Sequence, residues 1–594
     1  MNENGDCMIG NEKILEIDLS SEKIKIKDVP KEIIKKYIGG KGVGAKILFD
    51  SLKAKTDPLG PDNLLIFGTG PLTGLNLSGG EKLGVYFKSP LTNIFGEAYF
   101  GGYFAPALKR SGYDFIVFKG ISKKPVYLFI ENDNVMLKDA GGLWGKDTFE
   151  TEKIIKEEHG KIFQVASIGP AGENLVKYAC ITHAQGFLLG RAGAGTVMGA
   201  KKLKSVAVHG TKKIEIEKQN ELMAFKKDFN EKLKDRDILK DGTPETLSLT
   251  NVMGALPTRY WTEGEFEGAE EINIERMKER LITHRRSCQA CIVACKNMSE
   301  VKTGPYTGTK TSGPEYETLF SLGSLCGNSN LESIAKANDL CNRLGLDTIS
   351  AGNMVAFAME CYKRNLITKK DLDNLELNYG NYEAIIEMIK KIAYRQGIGN
   401  ILAEGTKIAS EKIKGSANFA IHVKGLELPG YDPRATEAMG LSYATSDRGA
   451  CHLRSQAYRP DLVGTIEGKA EMVKDLEDFY TVCDTMILCR FVAYPVVGPL
   501  YWENLAEIYS IAMNKKFTKE DLVKTGEEIN NLCRAFNIRE GITKKDDHLP
   551  KWFITEPIKK GAYDGKTVSE QDFEKMLDEY YRLRRWDTNG KPPS

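Results

Sequence analysis

The segment that most restricts how this chain folds is Cys288-Gln-Ala-Cys291-Ile-Val-Ala-Cys295, which puts three thiols within eight residues. Thiolates are soft ligands, and such a triplet suits zinc or an iron–sulfur centre. The motif is one ligand short of four, so a cysteine from far along the chain must return to it. Structural zinc usually takes two paired knuckles, and no second pair accompanies this triplet; Cys483 and Cys489 are separated by five residues. A radical adenosylmethionine enzyme would show Cys-x3-Cys-x2-Cys, the reverse of this spacing. Cys-x2-Cys-x3-Cys with one remote ligand fits a single [4Fe–4S] cluster. Cys7, Cys180, Cys326, Cys361 and Cys533 are expected to be plain buried thiols.

At 594 residues the chain is too long for one core. Its formal net charge is +2 with acids and bases interspersed, so nothing calls for nucleic acid or an anionic membrane. The opening Met-Asn-Glu-Asn-Gly-Asp lacks the basic and apolar regions of a signal peptide. The longest apolar stretch, Phe491 to Trp502, is interrupted by Pro495, Gly498 and Pro499 and is too short to span a bilayer. These features predict a cytoplasmic protein whose twelve cysteines are thiols or metal ligands rather than disulfides.

The first 210 residues or so read as β-rich. Apolar or alternating runs recur at Leu64–Phe67, Gly84–Phe87, Phe115–Phe118, Val126–Ile130 and Ser205–Val208, separated by glycine turns. Farther on, helical patterns take over. Lys218 to Leu239 is charged and amphipathic. Leu331 to Leu344 puts Ile334, Ala337, Cys341 and Leu344 on one face, and Gly345 stops it. Asp347 reads as the N-cap of a helix through Glu360. The expected class is α+β: a β-sheet domain over 1–212, then helical domains over 213–416 and 417–594. Gly39-Gly-Lys-Gly-Val-Gly44 lacks the ending of a P-loop and is read as tight turns, whereas Gly190-Arg-Ala-Gly-Ala-Gly195 carries Arg191 and is kept as a candidate anion site. The chain has no flavin or nicotinamide fingerprint, so a cluster here needs some other reaction partner.

The run Lys424-Gly-Leu-Glu-Leu-Pro-Gly-Tyr-Asp-Pro-Arg434 continues through Gly440-Leu-Ser-Tyr-Ala-Thr-Ser-Asp-Arg-Gly-Ala-Cys-His452-Leu-Arg454. With Gly313-Pro-Glu-Tyr-Glu-Thr318, Cys341 to Ser350, Lys88-Ser-Pro-Leu-Thr92 and Gly190-Arg-Ala192, it resembles the tungsten-containing aldehyde:ferredoxin oxidoreductase family. The resemblance extends from the N-terminal domain to Cys489. It implies tungsten, or molybdenum in its place, held by two molybdopterins on a β-sheet base, with Mg2+ bridging the pterin phosphates. It also implies one [4Fe–4S] cluster passing electrons to ferredoxin, in an anaerobic setting, and a small aldehyde or carboxylic acid as substrate. A homodimer or a small electron-transfer subunit would be a further partner; the Glu-x-x-His tetrapeptide through which some members dimerise is absent.

The family motif Asp-x-x-Gly-Leu-Cys matches Asp484-Thr-Met-Ile487-Leu488-Cys489, so the resemblance implies Cys489 as the fourth ligand, with Cys483 as rival and Ile487 in place of glycine. The second copy, Asn342-Arg-Leu-Gly345-Leu-Asp347, has Asn342 where the family has an acid. Lys82, Tyr99, Gly101, Gly102, Arg191, Ala192, Asn342, Asp347, Arg454, Asp484 and Leu488 match pterin, phosphate or magnesium positions. Glu315 and His452 are implied as catalytic, Glu315 taking a proton and His452 touching the carbonyl oxygen. Without the resemblance, Glu315 and Glu317 would simply open a helix after Pro314, and His452 would be a core histidine. Two other readings stay open: the catalytic subunit of an aromatic acyl-CoA ring reductase, and an electron-transfer protein with no substrate of its own.

Overall fold

The computed structural model describes residues 12–234, 241–458, 461, 465–494 and 498–593. Cys7, Pro495 and the last five positions of the Lys218–Leu239 pattern lie outside them. The first part of the chain builds two six-stranded sheets. In one, the order is Lys23–Asp28, Lys13–Asp18, Phe115–Lys119, Leu65–Gly68, Leu83–Lys88, Phe95–Phe100. In the other it is Phe187–Leu189, Ile181–His183, Gln164–Ser167, Leu203–His209, Val126–Glu131, Asn134–Asp139. Each sheet contains one parallel pairing, Lys13–Asp18 with Phe115–Lys119 and Leu203–His209 with Val126–Glu131. Leu15, Phe67, Phe87 and Ile116 of the first sheet share one core with Leu128, Ala166 and Val206 of the second. All five apolar runs read as strands are strands.

Helices dominate the rest, as the class α+β requires. Gln219–Lys234 is helical within the described part of the charged segment. Leu331–Leu344 ends at Gly345 in the left-handed region (φ 75°, ψ 51°), where glycine carries no Cβ penalty. Asp347 then caps Thr348–Lys363, accepting from the amides of Ile349 and Ser350, so that helix runs three residues past Glu360. A large core joins these helices to Trp552, Phe553 and Tyr580 near the end of the chain. No helix among the described residues is long and apolar enough to cross a membrane.

Gly39 makes a tight bend, its amide donating to the Tyr37 carbonyl at 2.7 Å, but the glycines after it do not make turns. Gly40–Ser51 is a helix, and its glycines permit close approach on two sides. A Cβ on Gly44 would stand 2.2 Å from the Tyr86 ring, and one on Gly40 would stand 2.6 Å from the carbonyls of Asp484 and Thr485. Local propensity disfavours a helix there by about 1 kcal/mol per glycine; tertiary packing overrides it. The result locks the Asp484 segment against the first sheet.

Candidate cofactor and active site

The loop carrying Cys288, Cys291 and Cys295 joins strands Ile282–Arg286 and Lys296–Glu300. Helix Lys469–Met486 delivers Cys489 to it. That helix stops at Ile487, which adopts the left-handed conformation (φ 62°, ψ 46°) that Gly345 adopts in the other copy of the motif. The backbone geometry is thus kept despite the missing glycine, at a strain cost of about 1–2 kcal/mol. Cys291, Cys295 and Cys489 pack against one apolar cluster with Val293 and Val492, and Cys288 faces Gly101, where a Cβ would stand 2.5 Å from its sulfur. Burial pushes the Cys288 thiol up to about 12, and Cys489 adds to that rise. Cys291 and Cys295 are raised by the same two causes in the same order. Buried thiols in this array ionise only if cationic metal offsets the repulsion. No three Cys, His, Asp or Glu side chains among the described residues converge closely enough for one ion. Four cysteines brought together from the loop and from the end of helix Lys469–Met486 suit a cluster in which each thiolate takes its own iron. Cys483, the rival ligand, is sealed in the apolar core, and Cys180, Cys326, Cys361 and Cys533 are buried as well.

Beside the thiols lies a cavity of about 390 Å³. Lys82, Tyr99, Arg191, Asn342, Asp347, Arg454 and Asp484 line it, together with Glu315 and His452. Gly101, Gly102, Ala192 and Leu488 do not reach its wall. Gly101 and Gly102 form the close approach to the cluster loop, where the Gly102 carbonyl accepts from the Gln289 amide at 3.1 Å. The Ala192 carbonyl accepts from the Ser89 hydroxyl at 2.8 Å. The Leu488 side chain is in the core, and its amide donates to Cys483.

The cavity wall is rich in fixed cations. Asp484 holds Arg490 at 2.7 Å and Arg454 at 2.9 Å, and the two guanidiniums hold its carboxyl below the ordinary range although burial opposes them. Lys41, completely buried, bridges Glu97 at 3.1 Å and Asp447, and Arg454 also contacts Glu97. Arg454 Nε and Nη2, Arg490 Nη1 and Arg448 Nε are buried without a partner. Buried donors of this kind seek anionic oxygens. Lys82 adds charge above the Tyr99 ring, 5.7 Å from its centre. Arg191 is fixed by the carbonyls of Glu427 and Ala450 and by Asp347 at 3.4 Å. These residues fit a large anionic cofactor with phosphates, and the cysteines fit a cluster next to it.

Glu315 and Glu317 point to different neighbours. Glu315 Oε1 accepts from Lys296 at 2.9 Å and Oε2 from the Thr243 hydroxyl. Burial alone would raise its carboxyl, but Lys296 and Thr243 bring it below the usual value. Glu317 Oε2 accepts from the Gly430 amide at 3.0 Å, while Oε1 is buried without a hydrogen bond and lies 3.6 Å from His452 Nε2. Burial pushes Glu317 up to about 8. Burial, then the nearby Arg191, Arg448 and Arg490, push His452 well below its ordinary value, so its ring is neutral. Tyr431 stacks on Tyr458 with centroids 3.8 Å apart and adjoins His452, giving this end of the cavity an aromatic wall. Sequence reasoning passed over Arg448, Arg490, Lys296 and Thr243, and gave Glu317 less weight than Glu315. The adjacency of Arg490 to Cys489 and of Lys296 to Cys295 offered a signal, as did the place of Arg448 in the run that ends at Arg454.

The same architecture occurs in known proteins. The description of the aldehyde ferredoxin oxidoreductase N-terminal domain matches residues 14–210, and that of domains 2 and 3 matches residues 223–594. A tungsten-containing aldehyde ferredoxin oxidoreductase of Thermococcus kodakarensis is 39% identical over 99% of this chain and 98% of its own length. One of the same description from Pyrococcus furiosus is 37% identical over the same shares. Among solved structures, the active site complex BamBC of benzoyl coenzyme A reductase, in complex with 1,5-dienoyl-CoA, superposes with a TM-score of 0.87 at 27% identity, covering 98% of this chain and 95% of its own. With both domain descriptions matched and whole-length relatives at this identity, the chain belongs to the aldehyde ferredoxin oxidoreductase family.

Proposed function

We propose that this protein is a tungstopterin enzyme that oxidises aldehydes to carboxylic acids and delivers the electrons to ferredoxin in the cytoplasm. The observation that carries this reading is the Glu317–His452 pair: an acid pushed up to about 8 facing a neutral imidazole across 3.6 Å, in the cavity beside the thiols. Environments that drive two neighbouring groups apart in this way mark acid–base sites.

Overall, aldehyde and water give acid, two electrons and two protons. The bis-pterin tungsten centre, or a molybdenum one, supplies the two-electron acceptance. Lys82, Arg454 and Arg490 suit its phosphates with Mg2+, and Arg191, Asn342, Asp347 and Asp484 suit the pterins. Cys288, Cys291, Cys295 and Cys489 suit the cluster that passes electrons on singly. Glu317 Oε1 is the proton acceptor for water or substrate, because its lone pairs are not committed elsewhere. His452, neutral, donates a hydrogen bond to the carbonyl oxygen. Glu315 was the sequence candidate for the proton, but both its oxygens are already engaged. The tyrosines around His452 exclude bulk water.

The test is anaerobic purification from a tungsten-fed culture, with metal analysis and turnover of a short aldehyde with viologen. Glu317→Gln is expected to lose activity at least a hundredfold with tungsten and iron unchanged. Full turnover in that variant overturns the assignment. The likeness to BamBC favours a second reading, the active-site subunit of a ring reductase. Viologen-coupled oxidation of a cyclic dienoyl-CoA, with no aldehyde turnover, would establish it instead.

A further inference from the structure

We propose that Glu315 and Lys296 form an ion pair whose function is to set the reduction potential of the cluster, in which Glu315 lowers the potential and Lys296 raises it. The inference rests on the reading that the four cysteines hold [4Fe–4S].

Both residues are strapped to the third cysteine. Lys296 follows Cys295 directly in the chain, and its ammonium lies 2.9 Å from Glu315 Oε1. The second strap is Gly242, so close to the cluster loop that a Cβ there would stand 2.6 Å from the Cys295 carbonyl oxygen. The next residue, Thr243, donates its hydroxyl to Glu315 and accepts the Tyr316 amide at 3.0 Å. Asn297 ties the same segment down by donating to the Asp241 carbonyl at 2.9 Å. Glu315 is therefore held to the Cys295 segment from two directions, with both oxygens occupied.

The pair also stands between cluster and cavity. Lys296 and Glu315 line the cavity wall. The Lys296 ammonium lies 5.6 Å from the centre of the Phe187 ring. Phe187 in turn packs 3.6 Å from the Cβ position of Gly101, the position that would touch the Cys288 sulfur. Both side chains are partly buried at the cavity wall, where a unit charge acts more strongly than it would in bulk water. A nearby anion favours the oxidised, less negative cluster, and a nearby cation favours the reduced one. Charge near the ligands is a recognised lever on cluster potential. A purely structural pair would do neither.

The experiment is redox titration of the holoenzyme followed by the electron paramagnetic resonance of the reduced cluster. Glu315→Gln leaves Lys296 unopposed and is expected to shift the reduction equilibrium at least tenfold toward the reduced cluster, a rise of about 59 mV for one electron. Lys296→Gln is expected to shift it the other way. The double variant should return toward wild type, and Glu315→Asp, which keeps the charge, should stay near it. Single variants that leave the potential unchanged, or move it in one common direction, overturn the proposal. Should Glu315→Gln fail to load iron, the Lys296→Gln shift decides the matter alone. Wild-type protein with no iron and no cluster signal would instead refute the reading on which the inference rests.

Discussion

Glu317 Oε1 and His452 Nε2 face each other at 3.6 Å, longer than a hydrogen bond, and burial drives both toward their uncharged forms. The acid is raised and the base is lowered, so at neutral pH Glu317 departs from its usual charge and His452 stays neutral.

A pH profile follows. If ionised Glu317 accepts the proton, kcat/KM should rise with pH and level off above about 8. Glu317→Gln should abolish that limb, while the ordinary value near 4.5 should not appear in the wild-type profile. Initial rates with viologen from pH 5 to 10 measure it.

Stability should move the opposite way. Glu317 has its folded value raised from 4.5 to about 8, so between these pH values the unfolded chain loses the proton while the folded one retains it. The folded state binds more protons, and stability falls as pH rises through that window. Glu317→Gln removes this penalty. The apoprotein variant should melt higher than wild type at pH 9 and about equal to it at pH 4, read by calorimetry.

Asp484 is the hinge of the cationic wall. Asp484→Asn leaves Arg454 and Arg490 buried beside each other, and breaking buried pairs of this kind costs about 3–5 kcal/mol. The expected outcome is a lower Tm and a fall in tungsten per chain, measured together on one preparation.

Cys489 and Cys483 separate cleanly by iron analysis. Cys489→Ser should lose most of the iron. Cys483→Ala should keep it and lose only stability, because its thiol is sealed in the apolar core.

Ile487 sets two effects against each other. Replacing it by glycine relieves about 1–2 kcal/mol of left-handed strain. It also deletes an isoleucine that is 1% exposed, and losses at such sites run to about 2–5 kcal/mol. Burial should win, so Ile487→Gly should melt lower than wild type.

How much of this was legible varies with the range of the forces. The helix Leu331–Leu344, its stop at Gly345 and the cap at Asp347 are local devices, and they stand where the sequence pattern puts them. The helix at Gly40–Ser51 was not legible, because it exists through contacts with Tyr86 and the Asp484 segment, hundreds of residues away for the latter. The two glutamates at the start of Tyr316–Ser321 are alike in sequence. What distinguishes them is Lys296 beside one and Gly430 and His452 beside the other, which only the assembled fold reveals.

The unpartnered N–H groups on Arg448, Arg454 and Arg490 have a consequence for assembly. Asp484 and Glu97 offset part of the charge on Arg454 and Arg490, but these N–H groups have no acceptor in the bare polypeptide at the place the cofactor must enter. Phosphates seated there would satisfy these donors and stabilise the folded protein by mass action. Loaded protein should accordingly melt higher than the bare polypeptide.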